Sequence, residues 1–370
     1  MKCIFKQFTQ MGHFFSLIVI LFVSVNSFSQ EWIEFYNNTR SLGMGGAGLA
    51  VSSDETALYR NPANLGSVRD FYGTAFDPEV EATTNFSSDV FSKISSKAFD
   101  IAAVSGNLNT NREKYYHARI QVTPSMVRRN FGIGLIYKNQ MHAETEITGL
   151  TMNTFYQSDF GVVLGTNYRF FDGVLKVGLN AKAINRIEVI NPVLSTAGSF
   201  DMTTIASEGT GLSYDVAMML QAPIKLLPSL AVVVHDVGDT KFNAKDGLRL
   251  QATSQPVTTK QSIDVGFSIF PIHSNYFRTT WAVEYSDATN SRLDNDSLKR
   301  AHFGVETNFR DILFFRAGVN QRYWTAGFEV ASERMTWQVA SYGEEIGTIV
   351  AGVITPREDR RYNMKITVRF

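Results

Sequence analysis

Cysteine is almost missing from this 370-residue chain: Cys3 is the only one, and it stands before the first apolar run. The body of the chain therefore has no disulfide, no thiolate metal site and no cysteine nucleophile. An excess of either charge is lacking too. The 35 basic residues balance the 35 acidic ones, which removes the basic surface that a nucleic-acid partner demands. Beyond Val25 no apolar run is long enough for a helix to cross a bilayer. His-Glu-x-x-His and Gly-x-Ser-x-Gly are both absent. The histidines after the first thirty residues (His117, His142, His235, His273 and His302) are scattered, with no two at ligand spacing along the chain. The expectation is no enzyme, no metal and no cofactor. His235-Asp236 reads as the end of a strand, not as a catalytic dyad. Asp287, Asp294 and Asp296 share an Asn/Asp/Ser-rich loop but miss the EF-hand calcium spacing, so a solvated loop is expected there.

What is present begins with an export signal. Lys2 and Lys6 precede an apolar core from Phe14 to Val25, and Ser27-Phe28-Ser29 puts small residues before Gln30. Residues 1–29 are expected to be a signal peptide cleaved near Ser29. The remainder is exported and rich in Phe, Tyr and Gly. The mean hydropathy of the whole chain, −0.09, suits a soluble protein. Two-faced barrel strands average to the same value, so hydropathy leaves both classes open.

The last ten residues are decisive between them. Tyr362, Met364, Ile366, Val368 and Phe370 are apolar, and Asn363, Lys365, Thr367 and Arg369 between them are polar. Strict alternation specifies a strand with one apolar and one polar face. The stretch resembles the closing strand of bacterial outer-membrane β-barrels, whose terminal aromatic residue is read by the barrel-insertion machinery. Similar alternation recurs in Phe131 to Tyr137, Leu175 to Leu179 and Phe303 to Phe309.

Strands can be laid out in pairs: Val68–Phe76; Lys114–Val127 and Phe131–Thr145; Phe155–Phe170 and Val174–Glu188; Leu212–Ile224 and Leu230–Lys241. Lys260–Phe270 and Tyr276–Ser286, Lys299–Phe309 and Leu313–Asn320, and Tyr323–Ala331 and Thr336–Tyr342 follow, then the terminal strand. A helix is expected over Asp89–Phe99, in the long loop before the second strand. About fourteen strands result, with short and long connections alternating as in an outer-membrane barrel. The connector at Gln321-Arg322 is short for a surface loop.

Residues 30–67 break the strand pattern. Gly43-Met44-Gly45-Gly46-Ala47-Gly48 is followed by Ala57-Leu58-Tyr59-Arg60-Asn61-Pro62-Ala63-Asn64-Leu65-Gly66, with Ser53 suited to cap a short helix that Pro62 must end. Gly43-x-Gly45-x-x-Gly48 also fits the dinucleotide fingerprint, but no strand precedes it. The segment closely resembles the N-terminal hatch of the FadL/TodX family of hydrophobic-compound transporters, whose relatives include PorV and PorQ of the Bacteroidetes type IX secretion system. The resemblance rests on Gly43, Gly45, Gly46, Ala47, Asn61, Pro62 and Ala63.

It implies an all-β transmembrane antiparallel barrel of about 14 strands (68–370) holding a hatch (30–67) inside its lumen, in a Gram-negative outer membrane with both termini periplasmic. It further implies FadL-like passage of hydrophobic or amphipathic small molecules. A PorV/PorQ-like scaffold or shuttle is the alternative. The partners implied are outer-membrane lipid, the insertion machinery, and a hydrophobic ligand or exported proteins. In that family two surface loops form an apolar capture groove; here Thr240 to Lys260 is mostly polar and Val193 to Ile205 only modestly apolar.

Overall fold

Side chains that alternate between two environments over 7 to 20 residues pull the backbone into strands. The computed structural model describes residues 31, 33–92, 96–145, 149–194, 200–244, 248–250, 252, 254–292, 296–350 and 353–370. The expected signal peptide lies outside them. Fourteen antiparallel strands close into a barrel.

Strand β1 runs in two pieces, Tyr72–Phe76 and Glu79–Thr83, and β2 likewise, Tyr116–Val122 and Ser125–Arg128. Then come β3 (Phe131–Thr145), β4 (Thr151–Phe170), β5 (Leu175–Leu194), β6 (Ser207–Gln221) and β7 (Ser229–His235). The second half comprises β8 (Ser262–Ile269), β9 (Phe277–Tyr285), β10 (Ala301–Phe309) and β11 (Leu313–Asn320). β12 (Tyr323–Ala331), β13 (Met335–Glu345) and β14 (Glu358–Arg369) complete it. Each strand pairs with the next. Closure comes from β14, which pairs with β13 through Trp337↔Ile366 and with β1 through Glu79↔Lys365 and Thr74↔Arg369.

The two faces of the wall are inverted relative to a soluble protein. Along β3, Phe131, Ile133, Leu135 and Tyr137 are exposed, while Gly132, Gly134, Ile136 and Lys138 are buried. Along β14, Tyr362 and Val368 are exposed, Met364 and Ile366 are half-buried, and Arg361, Asn363, Lys365 and Thr367 are buried. An apolar outer face around a polar interior is what a bilayer selects. Phe370 ends the chain beside the start of β1: its N–H donates to the Gly73 carbonyl (3.0 Å) and its ring meets Phe71 edge-on at 6.5 Å.

Short connections gather at one end. They turn through left-handed residues at Asn130, Phe171 to Gly173, Leu226-Leu227 and Arg310-Asp311. Long connections gather at the other, with the tight turn at Gln321-Arg322 among them; Gln321 there has φ 58°.

The layout of strands read from the sequence holds, with three corrections. Glu79–Thr83, expected as loop, is the second half of β1. Asp77-Pro78 interrupts the strand, since proline cannot donate to the ladder. β2 is broken at the same level by Thr123-Pro124, and the Asp77 carboxylate bridges the gap by accepting the Thr123 N–H at 2.6 Å. Second, the loop after β1 holds two helices, α3 (Ser87–Ser92) and α4 (Ile101–Thr110), where one was expected over Asp89–Phe99. Asp100 caps α4, accepting the Ala102 N–H at 2.9 Å.

Both helices fold back over the outer face of the wall. Phe86, Val90, Ile101, Val104 and Leu108 bury Val80, Ala82, Ala118, Met141 and Ala143 of β1 to β3, and Met202 and Ile205 from a one-turn helix (Met202–Ile205) join them. Third, Asp287 and Asp296 are buried rather than solvated. Asp287 accepts the Ser291 and Arg292 N–H groups, and Asp296 accepts from Leu298 and pairs with Arg322 at 2.6 Å. Asp294 lies outside the described residues.

Candidate functional site

Residues 33–68 form no strand, yet most of their side chains are buried. Their partners lie on the polar face of the wall. The first turn of helix, α1 (Thr39–Gly43), is capped by Asn38, which accepts the Arg40 N–H at 2.9 Å. Thr39 donates its hydroxyl to Asn363 of β14 at 2.6 Å. Arg40 grips Glu306 of β10 with two donors, at 2.8 and 2.6 Å, and Arg316 of β11 holds the same carboxylate at 2.7 Å.

The expected glycines sit where the chain touches backbone. Gly43 packs on Gly327, where an added Cβ would stand 3.0 Å from its Cα. Gly45 has φ +67° and faces β10 and β11, where a Cβ would lie 2.3 Å from the Phe303 carbonyl oxygen and 2.5 Å from that of Val319. Gly46 has φ +86° and lies on His302, whose Nδ1 is 2.9 Å from the Gly45 carbonyl. The wall supplies matching glycines: Gly304 and Gly318, opposite one another in β10 and β11, face Met44 and Gly45. Backbone lies on backbone here, and only glycine allows that distance. Ala47 is fully buried with Met44, Val51 and Ala282.

Asn61 ends the next helical turn, α2 (Ala57–Arg60), and caps the 3-10 turn Pro62–Ser67. Its side chain accepts the Ala63 N–H at 3.0 Å and donates to the Leu49 carbonyl at 2.8 Å, and Asn64 donates to the same oxygen at 2.9 Å. The Asn-Pro-Ala motif thereby ties two parts of the segment together. Ala63 lies against Gly178 of β5, where a Cβ would fall 2.2 Å from the Ala63 nitrogen, and its carbonyl accepts from Asn167 of β4 at 3.0 Å.

Buried ion pairs add charge to this contact. Arg60 donates to Glu284 of β9 at 2.8 Å, and the other oxygen of Glu284 accepts the Gly48 and Leu49 N–H groups at 2.8 and 2.9 Å. Glu55 accepts from Arg369 of β14 at 2.7 Å. Burial and the neighbouring Asp54 charge raise the Glu55 carboxyl against the pull of Arg369. Asp54 goes the other way: burial alone pushes it up, but the Arg40 guanidinium and the Thr56 hydroxyl and N–H outweigh that and hold it below the usual aspartate range. Tyr59 stacks on Tyr36 (4.8 Å) and reaches the broken part of the wall, donating to the carbonyls of Leu135 (2.9 Å) or Thr123 (3.3 Å). Gly134 leaves room for that hydroxyl.

At the short-turn end, a cavity of about 760 Å³ lies between this segment and the turns. Charged residues such as Asp54, Arg129, Arg169, Lys176 and Arg278 help line it. At the opposite end Glu31 meets Arg361, near the start of β14, whereas Phe370 follows the end of that strand; the described chain therefore begins and ends at opposite ends of the barrel, unlike the expected pair of termini on one side. His235 and Asp236, adjacent in sequence, take different partners: His235 stands 3.3 Å from Asp264, and Asp236 accepts from Ser213 and Thr240 and lies 3.4 Å from Lys182. Sequence reasoning left one grouping unseen: Glu31, His117 and His142 converge. His117 and His142 are register partners across β2 and β3, a relation that spacing along the chain does not reveal.

An antiparallel wall closed on itself, apolar outside and polar within, defines an outer-membrane β-barrel. No protein-family model and no curated protein matches the sequence. Solved structures do. The chain resembles the CymD monoaromatic hydrocarbon channel over 89% of its own length and 96% of that chain, with TM-score 0.53 and 11% identity. It resembles the Pseudomonas putida toluene transporter TodX over 89% and 97%, with TM-score 0.51 and 11% identity. A TodX variant lacking S2 and S3 gives TM-score 0.54 over 90% and 99%, again at 11% identity. The fold is shared with CymD and TodX.

Proposed function

We propose that this barrel passes hydrophobic or amphipathic small molecules across the outer membrane, with residues 30–67 acting as a hatch within its lumen. The observation that carries the reading is the contact of this one segment with inward-facing side chains on β3, β4, β5, β9, β10, β12 and β14, in a fold shared with two proteins named as channel and transporter. A segment that spans the cross-section must shift for a solute to pass. The charged lining favours solutes that carry a polar group. The short-turn end, with Phe370, faces the periplasm, and Glu31 lies toward the cell surface; residues 1–29 are the signal that directs export.

A scaffold of the PorV/PorQ kind is the second reading, and one observation favours it. The buried pair Arg60–Glu284 and the part-buried pairs Arg40–Glu306 and Glu55–Arg369 clamp the segment, and their rupture leaves buried carboxylates uncompensated.

The double change Asn61→Ala with Pro62→Ala separates the two. It removes both hydrogen bonds of the Asn61 side chain, while the strands still close the wall. A transporter should then show altered uptake of a fluorescent amphipathic probe by whole cells, with heat-modifiable gel migration retained. A scaffold should show unchanged uptake and less exported protein at the cell surface. A folded variant that alters neither would overturn both readings.

A further inference from the structure

At the loop end, His117 Nδ1 stands 3.8 Å from Glu31 Oε1, and His142 Nδ1 stands 3.2 Å from Glu31 Oε2. The ligand atoms of all three residues lie within 4.8 Å of one another. Among the described residues neither Nδ1 has a hydrogen-bond partner, although both are shielded from solvent and the His117 side chain is 1% exposed. The other nitrogen of His117 explains how it is oriented. Its Nε2 is 2.8 Å from Glu81 Oε1, and a carboxylate in that place takes the Nε2 proton. The Nδ1 lone pair is then left aimed at Glu31. A lone pair facing a carboxylate is repulsive unless a cation stands between them.

The surrounding charges point the same way. Glu31, Glu79, Glu81 and Asp359 are four buried carboxylates, and the guanidiniums bonded to them are two, Arg119 and Arg361. Lys365, opposite Glu79 in register, is itself paired with a further buried carboxylate, Asp77, so the described cluster stays acidic in a setting where unpaired charge is costly. The second imidazole is also preset: the His142 ring is sandwiched by Phe155 at 4.6 Å and Tyr115 at 5.7 Å.

We propose that Glu31, His117 and His142 bind a divalent transition-metal ion of the zinc class. Two imidazole nitrogens and a carboxylate oxygen are a ligand set such ions take, and a carboxylate behind a ligating histidine is the usual support. Arg361, bonded to both oxygens of Glu31 at 2.7 and 2.9 Å, and Tyr115 at 2.8 Å hold the carboxylate in place. The weakest donor to Glu31, Gln140 at 3.3 Å, is the one that gives way to the ion. The ion clasps the start of the described chain to β2 and β3, whatever the barrel passes.

The test is zinc uptake by the full barrel in detergent, first stripped with chelator, then dialysed against micromolar zinc and assayed by mass spectrometry. One equivalent is expected, with a rise in the temperature at which gel migration shifts; magnesium or calcium should not substitute. His142→Phe keeps the ring stack and removes Nδ1, so it should fold and lose at least tenfold in zinc affinity. His117→Gln should do the same where it folds. A wild-type barrel that takes up no zinc, or a folded His142→Phe barrel that binds zinc as tightly as wild type, would overturn the proposal.

Discussion

Replacing Gly45 by alanine is expected to loosen residues 39–67 while leaving the barrel closed. Two costs add. At φ +67° an L-residue carries strain of about 1–2 kcal/mol. The new methyl would also sit 2.3 Å from the Phe303 oxygen and 2.5 and 2.7 Å from the Val319 oxygen and nitrogen, all of them backbone atoms of paired strands. No flexible side chain there can swing away, so an overpacking cost of about 1–3 kcal/mol applies. Together they amount to about 2–5 kcal/mol, a roughly thirtyfold to several-thousandfold shift in the docking equilibrium of the segment. Hydrogen exchange in detergent reads that shift as faster exchange at the Leu42, Met44 and Gly46 amides, each bonded within the segment. Two controls separate the terms. Gly238 has φ +79° with nothing among the described residues within 4 Å of an added Cβ, so Gly238→Ala carries strain alone. Gly106, within α4, also has open space, and Gly106→Ala should be neutral or stabilising. If Gly45→Ala exchanges no faster than Gly238→Ala, the close backbone contact does not hold the segment.

Asp54→Asn should weaken protection of the same segment at pH 7. Because the folded carboxyl is held below its ordinary value of ~3.9, its contribution is complete above that pH and is lost only as the pH falls through the lower folded value; a difference from wild type that fades between pH 7 and 5 would contradict the assignment. Tyr59→Phe leaves the carbonyls at the break in β2 without their donor, at about 1–3 kcal/mol, and should speed exchange of the Leu135 amide, which bonds to Pro124 across that break; unchanged exchange would show that the wall holds itself there. Deleting Phe370 removes the 3.0 Å bond to Gly73 and the contact with Phe71, and should reduce folded barrel in the outer membrane, measured by heat-modifiable migration. Wild-type amounts would show that the terminal residue does not guide assembly.

Most of the wall was legible because period-2 alternation is local and needs no partner to be seen. Phe131–Thr145, Leu313–Asn320 and Tyr323–Ala331 were read with the boundaries they have. Glu79–Thr83 was not, because Pro78 broke the run and the charges of Glu79 and Glu81 suggested a loop; the alternation of Val80 and Ala82 with them was the available signal. Asp287 and Asp296 looked like solvated residues because composition cannot tell a capping carboxylate from a free one. The convergence of Glu31, His117 and His142 depends on register between β2 and β3 and on the path of a strandless segment. Neither is written in residue spacing.

The helices α3 and α4 change the outline that the protein presents to its neighbours. At the level of the short turns, the perimeter of β1 to β4 is bare strand with exposed aromatics such as Phe131, Tyr168 and Phe170. Nearer the long loops, the same flank is thickened by a helical layer over Val80, Ala82, Ala118 and Ala143. The silhouette is therefore flared on one side. Two copies side by side could not bring these flanks together over their full height: contact at the helical level would hold the bare strands below apart.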